Sequence, residues 1–410
     1  MKPIAALLLL LSAPVFAEPG LPPEAAVAQA LDNHPSVLAA RARIGQARAD
    51  ARILAIGPEE IVAQGTIQRR DVRGTGLVPE YDLQVTRPIR LPGRAALDRR
   101  AGAAGINAAD NRADDARHQA ALLLSRQWWA WLGAAAENRS LNEAAETMAS
   151  AVSATRQRLK LRDASALELD SAQAAAAAVR AAALQAQARE VAARANLAAT
   201  FPDLPLPVAV PVLPAPALPA EGPARLALLV VERSHEIGAA AADLDRADAL
   251  KARAARNRIA DPSIGIRGFS EQGGREKGVG LILAMPLGGR ARAAAADGAT
   301  AASVAAAGDL AAMRLAVNAI AAEDAALATG YLEAWEQARI AAEAAAAAAT
   351  RQREGYRLGG VDLADRLVAE RLARDAALDE VLARRAALEA ITRLRVDSHT
   401  LWMHAEGPEQ

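Results

Sequence analysis

Apolar and polar positions along this chain follow two rhythms that hand over abruptly. Tyr81, Leu83 and Val85 alternate with Asp82, Gln84 and Thr86, the two-residue period of a strand with one apolar and one polar face. Pro88 and Pro92 then interrupt, since neither donates a backbone hydrogen bond to a ladder. From Gly93 to Phe201 there is no proline, and alanine predominates among Arg, Asp, Glu and Gln. That composition forms helix over far more than the usual length. The switch recurs at Val279–Arg292: Val279, Leu281, Leu283 and Met285 alternate, Pro286 stops the strand, and no proline follows until Pro408. Pro88, Pro92, Gly93, Pro286, Gly288 and Gly289 thus mark two strand-to-helix junctions about 200 residues apart, the signature of an internal repeat.

The rest of each half follows the same order. Glu24–Ile56 reads as helix interrupted at Asn33-His34-Pro35-Ser36, where Pro35 disfavours helix at His34; Gly57-Pro58 ends it. Strands are expected at about 61–69 and 80–89 around a loop at Asp71–Pro79, each near the ten residues or so that a tilted strand needs to cross a bilayer. A helix over Ala95–Leu159, on the order of 100 Å long if unbroken, leads to a turn at about 160–165. There Ser165 and Glu168 have the form of a capping box, opening a helix to about Ala199. Leu141 and Met148 are spaced by seven, as are Val152 and Leu159, which fits coiled-coil packing. Trp128, Trp129 and Trp131 cover more than one face and are expected between neighbouring helices or subunits. Residues 201–223 hold eight of the 21 prolines and read as an extended connector, not a folded domain.

In the second half, Arg225–Arg258 reads as a helix and strands are expected at about 262–269 and 278–286 around Ser270–Lys277. A long helix from Ala291 to about Arg353, a turn at about 356–362 and a last helix over Leu363–Trp402 follow. In that last helix Val381/Leu388 and Leu394/Leu401 again show sevenfold spacing. The organisation predicted is repeat 1 at 18–200, a connector at 201–223, repeat 2 at 224–402 and a tail at 403–410.

Composition narrows the setting. Lys2, the apolar run Ile4–Leu11 and the small residues around Val15-Phe16-Ala17 read as a signal peptide over 1–17, expected to be cleaved after Ala17. After it no apolar run is expected to approach the roughly 20 residues of a transmembrane helix. The chain has no cysteine, which excludes disulfides, thiolate metal sites and lipid attachment to an N-terminal cysteine. Its 48 basic and 48 acidic residues balance, against a general nucleic-acid binder. Aromatics are 3% of the chain, too few for one large conventional core, whereas Ala-rich helices pack closely without them. His34, His118, His235, His399 and His404 are scattered, and the five-residue separation of the last two does not put them on one helix face, so no metal role is assigned. Gly273-Gly274 and Gly288-Gly289 read as turn and strand-exit glycines, and Arg69, Arg70 and Arg73 as a solvated loop end. No nucleophile, base or metal ligands cluster, so neither catalysis nor a cofactor is expected.

The order of elements, the twofold repeat and the leader together resemble the outer-membrane efflux family, the TolC-like channel proteins, and within it those that accompany heavy-metal and cation efflux pumps. The resemblance runs from about Glu24 to Trp402. It is carried by Asn33-His34-Pro35-Ser36, the strand exits Pro88–Arg94 and Pro286–Arg292, and the turn Tyr356–Asp365 with its weaker echo Leu161–Glu168. It implies a mainly α fold with a small β part: a homotrimer whose subunits each give four strands to one twelve-stranded outer-membrane barrel above a helical periplasmic tunnel. The implied function is a passive exit duct of a tripartite efflux system. Its implied partners are a periplasmic adaptor (membrane fusion) protein, an inner-membrane pump of the resistance-nodulation-division type, and outer-membrane lipid. The two turns would form the periplasmic tip. Glu168 and Asp365 match acidic residues of its constriction, Arg162 and Arg357 are candidates to pair with them, and Gly359 and Gly360 suit a tight turn. A second acidic position of the family, three after Asp365, is Val368 here.

The physics agrees with that resemblance. Four strands cannot close a barrel, and open edges are not tolerated in lipid, so a spanning version must oligomerise. Gln64, Thr66, Gln84 and Thr86 suit a wet lumen, while only Tyr81 and Phe269 are available for aromatic girdles. A periplasmic coiled-coil adaptor or scaffold without a barrel is the alternative, and it leaves the bilayer-length strands unexplained.

Overall fold

The computed structural model describes residues 20–57 and 60–403. The leader at 1–17, Pro58, His404 and the rest of the tail lie outside the described residues. The chain runs α1 (Glu24–Asp32), α2 (Pro35–Ile56), β1 (Val62–Val72), β2 (Gly76–Pro88), α3 (Arg94–Lys160) and α4 (Ala166–Thr200). The same order follows again as α5 (Pro223–Glu232), α6 (His235–Arg256), β3 (Ser263–Glu271), β4 (Glu276–Ala284), α7 (Arg290–Arg357) and α8 (Leu363–Asp397). Lengths match closely: α3 and α7 have 67 and 68 residues, and α4 and α8 have 35 each.

Local chemistry sets the breaks. Pro35 is the first residue of α2, where its missing N–H costs nothing. In the second half the single helix expected over Arg225–Arg258 is two. Ser234 caps α6, its Oγ accepting from the Ile237 N–H at 3.1 Å, and this local bond outcompetes continued helix. The last helix also stops earlier than expected, at Asp397. His399 takes φ +56°, and the Thr400 N–H bonds the Arg395 carbonyl at 2.9 Å, closing the end as a Schellman turn. Leu401 is therefore not in the helix of Leu394.

β1 and β2 run further than expected, and the loop foreseen at Asp71–Pro79 contracts to Arg73–Thr75. Arg70 is then a strand residue, not part of a solvated loop end. It meets the buried Glu80 at 2.6 Å. β3 and β4 turn through Gln272–Gly274. The four strands form one antiparallel sheet in the order β1-β2-β3-β4, with β1 and β4 at its edges.

The described residues fall into two compact units, and neither is a sequence half. One comprises Pro35–Arg117 and Val231–Ile320, hence the sheet, α2, α6 and the adjoining parts of α3 and α7. The other comprises residues up to His34, His118–Val230 and those from Ala321. In this helical unit Trp128, Trp129 and Trp131 are buried within the chain. Trp128 donates to the Gly20 carbonyl at 2.7 Å and Trp129 to Thr392 Oγ1 at 2.9 Å. The connector has no regular element, yet it is packed down. Phe201, Leu204 and Leu213 are buried, and Arg194 and Arg384 donate to the carbonyls of Pro207 and Leu213 at 3.0 and 3.3 Å. Leu141 packs with Ala183 and Ala186, the small partners that close helix approach requires.

Against the expectation that no apolar run approaches transmembrane length, helix α7 contains a window long and apolar enough, by length and composition, to cross a membrane, and little of that window is buried. Its apolarity comes from alanine, whose hydropathy is positive but whose side chain offers little area to lipid.

Candidate functional site

The sheet is sorted into two faces by the strand register. Val85 pairs with Ile266 and Leu83 with Gly268, while Ile266 pairs with Leu281 and Gly268 with Val279. Alternation then places Ile67, Leu77, Tyr81, Leu83, Ile266 and Leu281 on one face. Those side chains are exposed, Ile67 at 82% and Leu281 at 91%. The other face is polar and bonded across strands. Gln84 donates to Gln64 Oε1 at 2.6 Å, Gln68 to Glu80 Oε2 at 2.9 Å, and Arg267 to Asp82 Oδ2 at 2.6 Å. Phe269 belongs to this polar face, stacked 5.2 Å from the Arg267 guanidinium. Its ring covers Gly278, where a Cβ would collide with it. It is thus removed from the girdle expected of it, and Tyr81 alone stands on the apolar side.

Where β2 leaves the sheet, a buried ionic cluster fixes the start of α3. Gly93 takes φ +79°, and a Cβ there would strike the Arg256 guanidinium. Arg94, buried, reaches Asp261 Oδ1 at 2.6 Å and donates to the Ile259 carbonyl at 2.6 Å. Asp98, also buried, takes Arg253 Nε at 2.9 Å and Arg90 Nη1 at 3.3 Å. The Leu91 N–H donates to Asp261 Oδ1 at 2.9 Å. Pro88 ends β2 opposite Ser263, so each ladder stops just where these charges begin. Pro92 lies between the Leu91 bond and Gly93 in the same exit. Pro286, Gly288 and Gly289 form the exposed passage from β4 to α7, and a Cβ on Gly288 would come within 2.9 Å of the Arg258 carbonyl. Sequence reasoning marked the prolines and glycines here but missed Asp98, Arg253 and Asp261.

The two helical turns belong to the other unit. Both close as Schellman turns. After α3, the Asp163 N–H bonds the Arg158 carbonyl at 2.8 Å, and Arg162 holds φ +62°. After α7, the Gly360 N–H bonds the Gly355 carbonyl at 2.9 Å, and Gly359 holds φ +79°. Ser165 and Glu168 form a complete capping box on α4, Glu168 Oε2 accepting from the Ser165 N–H at 2.7 Å. Asp362 caps α8, accepting from the Asp365 N–H at 2.8 Å. Asp365 is therefore an exposed residue of the first turn of α8. Arg357 is the last residue of α7, not part of the turn, and donates to Glu354 Oε2 at 2.8 Å. That hydrogen bond holds the Glu354 carboxyl below its usual range.

Between the turns sits Tyr356, buried, with the guanidinium of Arg158 at 4.8 Å and that of Arg366 at 5.2 Å from its ring. Tyr356 packs with Ala172 and Leu363. Arg158 is held by Asp163 Oδ2 at 2.8 Å. Arg353 forks onto Glu370 at 2.9 and 3.1 Å. Arg158, Arg366 and Glu370 were not singled out from sequence, where Tyr356 was marked only as the start of the turn Tyr356–Asp365.

A further group in this unit joins α3, α7 and α8. Asp324 and Asp397 are both buried. Burial, then a hydrogen bond shared with Asp397, raises the Asp324 carboxyl to about 8. Burial works the same way on Asp397, but hydrogen bonds from His118 and Asp324 outweigh it and hold that carboxyl below its ordinary value. His118 Nε2 lies 2.6 Å from Asp397 Oδ1, and Arg393 Nε lies 2.9 Å from Asp324 Oδ1. His399 stacks edge-on against His118 at 5.3 Å.

No family model matches this chain, and no curated protein matches it in sequence. Solved structures do. A membrane protein from Pseudomonas aeruginosa aligns with TM-score 0.77 at 19% identity, over 96% of this chain and 99% of its own. The outer membrane protein VceC from Vibrio cholerae aligns with TM-score 0.75 at 17% identity, over 91% of this chain and 95% of its own. CusC, whose structures concern transmembrane channel formation, aligns with TM-score 0.77 at 16% identity, over 92% and 91%. The fold is therefore that of the outer-membrane channel proteins, with long helices and four strands in each chain.

Proposed function

We propose that the chain is the outer-membrane channel of a tripartite efflux system, a passive exit duct that performs no chemistry. The observation that carries this is the sheet: one exposed apolar face, one polar hydrogen-bonded face, and two unpaired edges. Such a sheet is costly in water and, alone, costly in lipid. Edges that close against copies of the chain relieve both costs, and three copies would give twelve strands. The polar face then lines a wet lumen, through which metal cations or other cargo pass without a tight site to detain them. An inner-membrane pump, proposed to be of the resistance-nodulation-division type, would supply the driving force through a periplasmic adaptor. The turns after α3 and α7 would form the periplasmic tip, with Glu168 and Asp365, in the first turns of α4 and α8, at its constriction. A coiled-coil scaffold without a barrel has no use for a sheet sorted in this way.

The test is assembly and conductance of the full chain. A trimer in detergent that inserts into planar bilayers and passes ions supports the duct. A monomer that stays soluble and yields no conductance overturns it.

A further inference from the structure

The apolar face of the sheet ends abruptly in arginine. At the end where the strands pass into helices, residues 87–94, 253–258 and 290–292 contain eight arginines, against three nearby carboxylates, Asp98, Asp261 and Asp297, that pair with Arg90, Arg94, Arg253 and Arg258. At the hairpin end, residues 69–80 and 271–277 carry five basic and four acidic residues, close to balance. Both ends adjoin the same apolar face, so the charge difference is a property of the exit end and not of strand ends in general.

Within the exit end the arginines do two things. Arg90, Arg94 and Arg253 are turned inward onto Asp98 and Asp261. Arg87, Arg256 and Arg290 are exposed, and none has an ion pair to a carboxylate among the described residues. Arg256 is further held in place by its seat over Gly93. Beside them Ile89, Met285 and Leu287 are exposed, Leu287 at 93%. Exposed apolar side chains that give way to arginines make the profile of an interface between hydrocarbon and anionic headgroups, because a long side chain can cover apolar surface while its charge reaches a phosphate. Guanidinium groups, with several donors in one plane, suit phosphate oxygens better than a point charge does.

We infer that the arginine rim at the strand-exit end binds the phosphates of anionic glycerophospholipids in the membrane leaflet on the helical side. This rests on the sheet's being membrane-inserted, as proposed above. Bound headgroups would fix the depth of the sheet at the point where β2 and β4 leave it.

The full chain would be reconstituted into vesicles of equal phosphatidylglycerol and phosphatidylcholine, tested for insertion by carbonate extraction, then extracted and analysed for retained lipid. Wild type should enrich phosphatidylglycerol by about tenfold, as expected for a few basic residues at an anionic surface, and the enrichment should shrink in high salt. Arg87→Gln/Arg256→Gln/Arg290→Gln should bring retention close to parity. Arg69→Gln/Arg73→Gln/Arg275→Gln, at the hairpin end, should leave enrichment unchanged. Inserted wild type with no enrichment, or an exit-end variant that keeps it, overturns this inference and leaves the duct standing. Displacement by millimolar inorganic phosphate, or a preference for lipid A, also overturns it by assigning the rim to another phosphate source. Failure to insert at all removes the duct and the rim together.

Discussion

The turn after α3 and the turn after α7 share a backbone and differ in how their residues suit it. Each ends a long helix with the same pair of hydrogen bonds and one residue at positive φ. After α7 that residue is Gly359, which holds the conformation without steric cost. After α3 it is Arg162, whose Cβ makes the same conformation cost roughly 1–2 kcal/mol. The caps differ in the opposite sense. Ser165 and Glu168 satisfy each other reciprocally at α4, while Asp362 accepts one bond at α8. Tyr356, at the end of α7, then serves both turns, since Arg158 from α3 and Arg366 from α8 lie on its ring. One turn is thus favoured by its backbone and the other by its cap, and a single aromatic ties them together.

The largest expected break in that arrangement is Tyr356→Ala. Removing a buried ring with two guanidinium groups stacked on it should cost about 3–5 kcal/mol, read as a lower denaturant midpoint. Tyr356→Phe should recover most of it, and equal losses from both variants would show that the ring is not what joins the turns. Next come the exchanges at the left-handed position. Gly359→Ala should destabilise by about 1–2 kcal/mol, and Arg162→Gly should stabilise by up to about 1 kcal/mol. Opposite signs in thermal melts are the point of the pair; the same sign for both would mean the turns are not backbone equivalents. The smallest effect on stability belongs to Asp365→Ala, under about 1 kcal/mol for a carboxylate on a helix's first turn. Its expected effect is on conductance and on the dependence of conductance on pH and divalent cations. Single-channel traces identical to wild type between pH 5 and 8 would remove Asp365 from the proposed constriction and leave it a favourable charge at the start of α8.

What could be read from sequence follows the range over which each feature is encoded. The strand-to-helix junctions were legible because proline, glycine and alternation act on neighbours, and Pro88 and Gly93 stand where those rules put them. The capping box at Ser165 was legible for the same reason. The break before α6 carried a signal too, Ser234 at a cap position, but thirty helix-forming residues around it hid it. Phe269 shares the parity of Arg267, so its place on the polar face was available from alternation. The buried charges were not legible. Asp98 and Arg253 are 155 residues apart, and each looks like an ordinary surface charge on an Ala-rich helix. Asp324 and Asp397 are hidden in the same way, since nothing local separates a solvated carboxylate from one sealed between three helices.

That last pair makes folding a proton-consuming reaction. An unfolded chain near neutrality releases the Asp324 proton, whereas the folded chain keeps it between two carboxyls until about pH 8. Asp397, held low by His118 and Asp324, stays ionised throughout that range and adds nothing to the slope. Because Asp324 is raised above its unfolded value, its contribution to stability is complete below about pH 4 and drains away as pH climbs toward 8. The loss should be at most about 1.4 kcal/mol per pH unit for one proton. Denaturant midpoints of the wild-type chain should therefore fall between pH 5 and 8, and Asp324→Asn should flatten the curve. Asp324 thus lends the contact of α7 with α8 more stability in acid than in alkali, so a drop in external pH that weakens ion pairs elsewhere would find this one buried pair at its firmest.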